Sequence, residues 1–167
     1  VSIRILLILL LGLNVLDVEG LLKMITTDVG ILKLVSLPVE TKEQAKEIYR
    51  ELKDNFPSSG ALGLAAIQIE IPRKAFVILQ NKRLRFLCNP RILYLGKKTR
   101  FSNEGCLSIP NVFNDSMRAV DITIEYYNQN LKRQEETFQG IEAVVIQHEL
   151  DHCEGKLCTE SFIKDGR

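Results

Sequence analysis

At 167 residues the chain suits one domain and is long enough to bury a substantial core without disulfide staples. Apolar residues make up 46% and charged residues 26%, close to an ordinary globular domain. A formal net charge of +1 removes any general electrostatic argument for nucleic acid or an anionic membrane as partner.

The first stretch is unlike the rest. "ILLILLLGL", residues 5 to 13, is strongly apolar but far shorter than the roughly 18 residues of a membrane span. It reads as the apolar part of a signal peptide behind Arg4, as another targeting leader, or as a start assigned too early. Residues 1–23 are therefore set apart as an apolar leader, and residues 24–167 are expected to form a single domain. From Met24, "MITTDVGILKLVSLPVE" is expected to be a short extended arm that turns at Pro38.

Thr41 begins a helix with a capping-box pattern, Thr41-Lys42-Glu43-Gln44. Ala45, Ile48, Tyr49, Leu52 and Phe56 recur at spacings of three and four, giving one apolar face, and Pro57 should stop the helix. "KAFVIL" and "RFLCNPRIL" are rich in β-branched and aromatic residues and read as strands. After a charged turn at Lys97 and Lys98, "FSNEGCLSIP" holds several turn formers. "VDITIEYY" alternates Ile122, Ile124 and Tyr126 on one face, "NQN" turns, and "LKRQEETF" returns as a strand. Gly140 ends that strand. "IEAVVIQHELDH" is then a helix so apolar in its first two turns that it should be buried. Hairpins between helices, without βαβ alternation, predict an α+β fold: antiparallel strands around a buried helix, with an N-terminal amphipathic helix.

The chemistry lies in that last helix. His148 and His152, the only histidines, stand four apart and share a helix face, with Glu149 beside them. In this His-Glu-x-x-His arrangement two imidazoles hold a metal and the carboxylate moves the proton of its water. A catalytic site of this kind has three protein ligands, and with no third histidine the third must be a cysteine or a carboxylate. Cys106 in "EGCLSIP" is the best candidate. A thiolate beside two imidazoles suits ferrous iron, zinc, nickel or cobalt. There is no C-x-x-C pair among Cys88, Cys106, Cys153 and Cys158. A ligand role for Cys106 leaves three cysteines and favours a reducing compartment. Cys88 and Cys153 read as small apolar filler.

Three blocks in order resemble the peptide deformylase family: "ALGLAAIQ" at 61–68, "EGCLS" at 104–108 and "QHELDH" at 147–152, with Gly155 and Leu157 following. Asn89-Pro90 and Arg118 also match. The chain departs from the family at Ala61, where a glycine is usual. It departs again at Cys153, where leucine is usual, and at Cys158, which replaces a large apolar residue. The long C-terminal helix of many bacterial members has no counterpart, so the ribosome exit region stays open as a partner but without the support of that helix.

The resemblance implies removal of the formyl group from the N-terminal formylmethionine of new polypeptides, releasing formate. It implies one divalent metal, ferrous iron first, on Cys106, His148 and His152. Glu149 would move protons, and the Gln68 side chain and the Leu107 backbone N–H would stabilise the oxyanion. Leu62, Gly63, Val144 and Val145 would meet the methionine and its backbone, and Glu104 with Arg118 would hold the cysteine loop. The expected partner is an N-formylmethionyl nascent chain, with neither a membrane nor a direct nucleic-acid role. The expected place is the cytoplasm, or an organelle if residues 1–23 target it. Two other readings stand beside this one. A zinc endopeptidase would take a downstream carboxylate such as Glu154 or Glu160 as third ligand, and a deformylase-like binding protein would hold metal without turnover.

Overall fold

The apolar run around Val77 lacks a polar face because both of its faces are covered. In the computed structural model, which describes residues 25–58 and 60–164, five segments pair antiparallel throughout. They are β1 (Gly63–Ala65), β2 (Ala75–Gln80), β3 (Arg83–Leu95), β6 (Asp121–Tyr127) and β7 (Arg133–Gln139). They form one sheet in the order β1-β2-β3-β6-β7. Successive side chains of a strand point to opposite faces. Phe76 and Ile78 thus meet one core cluster, with Ile146 and Leu150, while Ala75 and Val77 meet another, with Ile48 and Leu52.

Two helices supply those covers. The short helix α1 (Val29–Leu32) comes first, then α2 (Lys42–Asn55), and α3 (Ile141–Cys153) lies on the opposite face of the sheet. The Thr41 hydroxyl accepts from the Gln44 N–H at 3.1 Å, and Gln44 Oε1 reaches back to the Glu40 N–H at 2.9 Å. This is a capping box displaced by one residue on its return arm. Ala45, Ile48 and Leu52 are buried, and each aliphatic side chain as large as Ile48 or Leu52 contributes about 1.5–3 kcal/mol of transfer free energy. Ile122, Ile124 and Tyr126 are all buried on one face of β6, as their alternation predicts. The α+β class and the buried helix agree with the expectation from sequence.

Two segments differ from it. The arm after Met24 is not wholly extended: Asp28 Oδ1 accepts from the N–H groups of Gly30 and Ile31 and caps α1. Local capping at an aspartate overrides an otherwise strand-like composition. The larger correction concerns "FSNEGCLSIP", which is not a loop. It belongs to a long hairpin of β4 (Lys98–Cys106) and β5 (Ile109–Ala119), a separate two-stranded sheet. Its residues are mostly exposed and its register shifts between Phe101 and Glu104, so no alternation marks it. Only Leu107 and Ser108 form the turn. The proposed leader and the boundary at residue 23 lie outside the described residues.

Candidate active site

β4 ends at Cys106 against α3, and this places the three blocks together. One ligand atom from each of Cys106, His148 and His152 lies within 4.8 Å of the others. Cys106 Sγ is 3.3 Å from His152 Nε2, and the two imidazoles are 5.0 Å apart, nearly edge to face. One thiolate and two imidazoles, with a cavity on one side, fit a metal with an open coordination position.

The ring of His148 is oriented from behind. Its Nδ1 is 2.8 Å from Glu104 Oε1, which makes Nδ1 the donor and leaves Nε2 for a ligand. Glu104 in turn accepts from the Arg118 guanidinium at 2.6 and 2.9 Å and from the Ser116 hydroxyl. Arg118 also donates to Asp151 Oδ2 at 2.7 Å, which ties β5 to α3. Burial works to raise the Glu104 carboxyl, but the hydrogen bonds from His148, Arg118 and Ser116 outweigh it and hold the pKa at about 2. Burial lowers His148, yet Cys106, Glu104 and Glu149 more than reverse this and take it to about 10. The same negative field favours a divalent cation on the free ring nitrogen. The Cys106 thiol is held low by a hydrogen bond from Cys158, against burial, and by both histidines.

Glu149 is 3% exposed, and its Oε2 has no hydrogen-bond partner. Burial pushes its carboxyl up to about 7, against the pull of His148 and His152. A Cβ on Gly63 would lie 2.4 Å from Glu149 Oε1 and 2.9 Å from a Val145 methyl carbon. Glycine at 63 is thus required by the carboxylate itself, a reason that adds to the expected approach of substrate backbone.

Gln68 sits on the 3-10 turn Ala66–Ile69 that follows β1 and is buried. Its Oε1 accepts from the Ala65 N–H at 2.9 Å, which fixes the amide. Its Nε2 donates to Ser108 Oγ at 3.1 Å and faces Cys106 Sγ at 3.6 Å. Leu107 is the first residue of the β4–β5 turn, so its N–H follows directly on the cysteine. Leu62, Gly63, Gln68, Val144, Val145, His148 and Glu149 line one cavity of about 420 Å³ with Cys106 and Leu107, whereas His152 lies behind it, 1% exposed.

Several residues here escaped the sequence reading. Ser108 and Ser116 orient Gln68 and Glu104, and only the position of Ser108 within "EGCLS" hinted at this. Phe101, Phe113 and Ile141 extend the cavity wall. Phe113 lies opposite Gly105 in the hairpin, where a Cβ on the glycine would come within 2.3 Å of the ring. The glycine of "EGC" makes room for that aromatic, a pairing visible only once the register is known.

The chain matches the family model for polypeptide deformylase over residues 21–167. It is 35% identical over 132 residues to a peptide deformylase of Phenylobacterium zucineum, covering 75% of this chain and 78% of that one. A peptide deformylase of Christiangramia forsetii is 38% identical over 136 residues, 70% of this chain and 68% of its own. Among solved structures, a peptide deformylase from Thermus thermophilus superposes with a TM-score of 0.79 at 28% identity, covering 86% of each chain. One from Legionella pneumophila gives 0.77 at 30% identity, over 84% of this chain and 85% of that one.

Proposed function

This chain belongs to the polypeptide deformylase family, and from that premise we propose how its own residues remove the formyl group from the N-terminal formylmethionine of new polypeptides. The reaction is a metal-dependent amide hydrolysis that releases formate. Cys106, His148 and His152 hold one divalent metal. We assign it as ferrous iron, since a thiolate beside two imidazoles is a mixed donor set that iron accepts; zinc, nickel and cobalt suit it as well. When bound, such a metal polarises a carbonyl and brings the pKa of water toward neutrality.

Glu149 takes the proton of the attacking water and delivers it to the leaving amine, for which a buried carboxyl near neutrality is matched. The Gln68 amide, locked by the Ala65 N–H, presents Nε2 toward the place where the formyl oxygen gains charge, and the Leu107 N–H meets it from the hairpin turn. One such donor contributes roughly 2.7–4 kcal/mol in the transition state. Leu62, Val144 and Val145 receive the methionine side chain, and Gly63 leaves the substrate backbone close to Glu149. Glu104, through Arg118 and Ser116, orients His148.

The observation that carries this reading is the convergence of three ligand atoms within 4.8 Å beside a buried, unpartnered carboxylate oxygen. The endopeptidase alternative is weaker. Glu154 is paired with Lys156 at 2.7 Å and Glu160 accepts the Leu157 N–H at 3.1 Å, so both are engaged elsewhere. None of the described helices is long and apolar enough to cross a membrane. We place the reaction wherever formylated chains are made, bacterial cytoplasm or an organelle. Formyl-Met-Ala-Ser should release formate while internally cleavable peptides stay intact; the reverse result overturns the assignment. Protein purified without oxygen should contain iron and lose activity in air faster than its nickel form. A native zinc content would overturn the iron assignment.

A further inference from the structure

The active-site cavity continues past Leu62 into a second cleft. This cleft, of about 450 Å³, shares Gly60, Ala61 and Leu62 with the first and adds Phe56 and Leu79. Among the described residues no charged side chain lines it. The two spaces lie toward opposite faces of the sheet. Leu64 pairs with Val77, and both are fully buried in the cluster under α2. Two residues further along each strand, Leu62 and Leu79 lie on that same face. The Leu79 N–H donates to the Leu62 carbonyl at 2.8 Å, so the ladder reaches that far. The core does not: Leu62 is 47% and Leu79 37% exposed. Phe56, the residue that ends α2, packs against the buried cluster and walls the cleft. Gly63 faces the other way, with the position of its missing Cβ against Glu149 and Val145 of α3.

The strand β1 is an edge of its sheet. Leu62 bonds to Leu79, so Gly63, next in register opposite Ile78, turns its own N–H and carbonyl outward to the cavity. The next outward group on that edge, the Ala65 N–H, is already held by Gln68 Oε1 at 2.9 Å. An extended chain can therefore add to this edge at Gly63, with successive side chains on opposite faces. Gln68 follows β1 and faces Cys106 Sγ at 3.6 Å, which marks the reacting end; such a chain leaves in the other direction, past Leu62.

We propose that this cleft takes the side chain of the residue that follows formylmethionine, and that it makes the protein selective for an apolar residue there. This assignment rests on the deformylase reading of the cavity. The methionine side chain beside Gly63 points to the α3 face, toward Val144 and Val145. The next side chain then points to the α2 face, where Phe56, Leu62 and Leu79 present apolar surface. Leu79 determines the specificity without lining the first cavity.

The metal-loaded protein is assayed for formate release from formyl-Met-Leu-Ser, formyl-Met-Ser-Ser, formyl-Met-Asp-Ser and formyl-Met-Ser-Leu. Leucine in second place should raise kcat/KM about tenfold over serine, through a lower KM at constant kcat, because the cleft buries part of one aliphatic side chain. Leu79→Thr should abolish that preference and leave turnover of formyl-Met-Ser-Ser unchanged. Equal kcat/KM for leucine, serine and aspartate in second place overturns the proposal, whether or not the variant folds. A gain that follows leucine in third place overturns it too, as does a preference that survives in folded Leu79→Thr. Formate release from none of the peptides overturns the deformylase reading, and this proposal with it.

Discussion

The three proposed metal ligands come from two unlike regions. Helix α3 is buried along most of its length against the five-stranded sheet, and its histidines and Glu149 inherit the rigidity of that core. The β4–β5 hairpin that brings Cys106 is exposed along most of its length, forms its own two-stranded sheet, and is bridged beyond it at Ser116, by Phe162. What joins them is a small polar cluster, Glu104 with Arg118, Ser116, His148 and Asp151. The difference teaches that helix spacing alone brings the two proposed histidine ligands together, whereas the proposed cysteine ligand depends on docking of the hairpin, by the buried ion pair and by the Gln147 amide on the Ala119 backbone. Such an ion pair gives little net stability over apolar packing, but breaking it leaves an uncompensated charge.

The comparison breaks most completely at the hairpin's own ligand. Cys106→Ala should lose the metal and with it measurable turnover, while Cys153→Ala, in the core, should keep both; metal analysis of the two folded variants decides. On the helix side, Glu149→Gln preserves shape but cannot accept a proton. Turnover should fall by ~10²–10⁴ with metal content unchanged. Near-wild-type turnover would remove Glu149 from the mechanism, and loss of metal would make it a ligand.

The join itself comes next. Arg118→Ala takes the guanidinium from buried Glu104, leaving it Ser116 and His148, and should cost roughly 3–5 kcal/mol in denaturant unfolding. It should also loosen the metal, since Glu104 orients His148. Equal unfolding midpoints would show that the hairpin docks by other means. Gly63→Ala forces a Cβ against Glu149, within 2.4 Å of Oε1 as they now stand. Displacing that carboxylate should lower kcat by ~10² with the metal still bound. The smallest effect belongs to the exposed wall: Phe113 is 60% exposed, so Phe113→Ala should change stability by no more than about 0.5 kcal/mol. Its signature should be a raised KM for formylated peptides with kcat nearly constant, and a fallen kcat would assign the ring to more than binding.

What the sequence alone determined is local. A period of three and four residues identifies α2, strict alternation identifies β6, and an i, i+4 spacing puts His148 and His152 on one face whatever surrounds them, because each depends only on backbone geometry repeated along the chain. The lack of a third histidine pointed to Cys106 as partner of that helix, and resemblance in three blocks supported it and supplied the roles assigned to Gln68 and Leu107. Only the tertiary structure decided the rest. β4 and β5 carry no alternation because neither face of that hairpin is continuously buried, so no pattern announces them. Ser116 and Phe113 acquire their meaning from neighbours distant along the chain, Glu104 and Gly105. The glycine at 63 looks like any turn residue until Glu149 is seen against it. Contacts between segments depend on register and packing, and these arise from the whole fold, not from any window of residues within it.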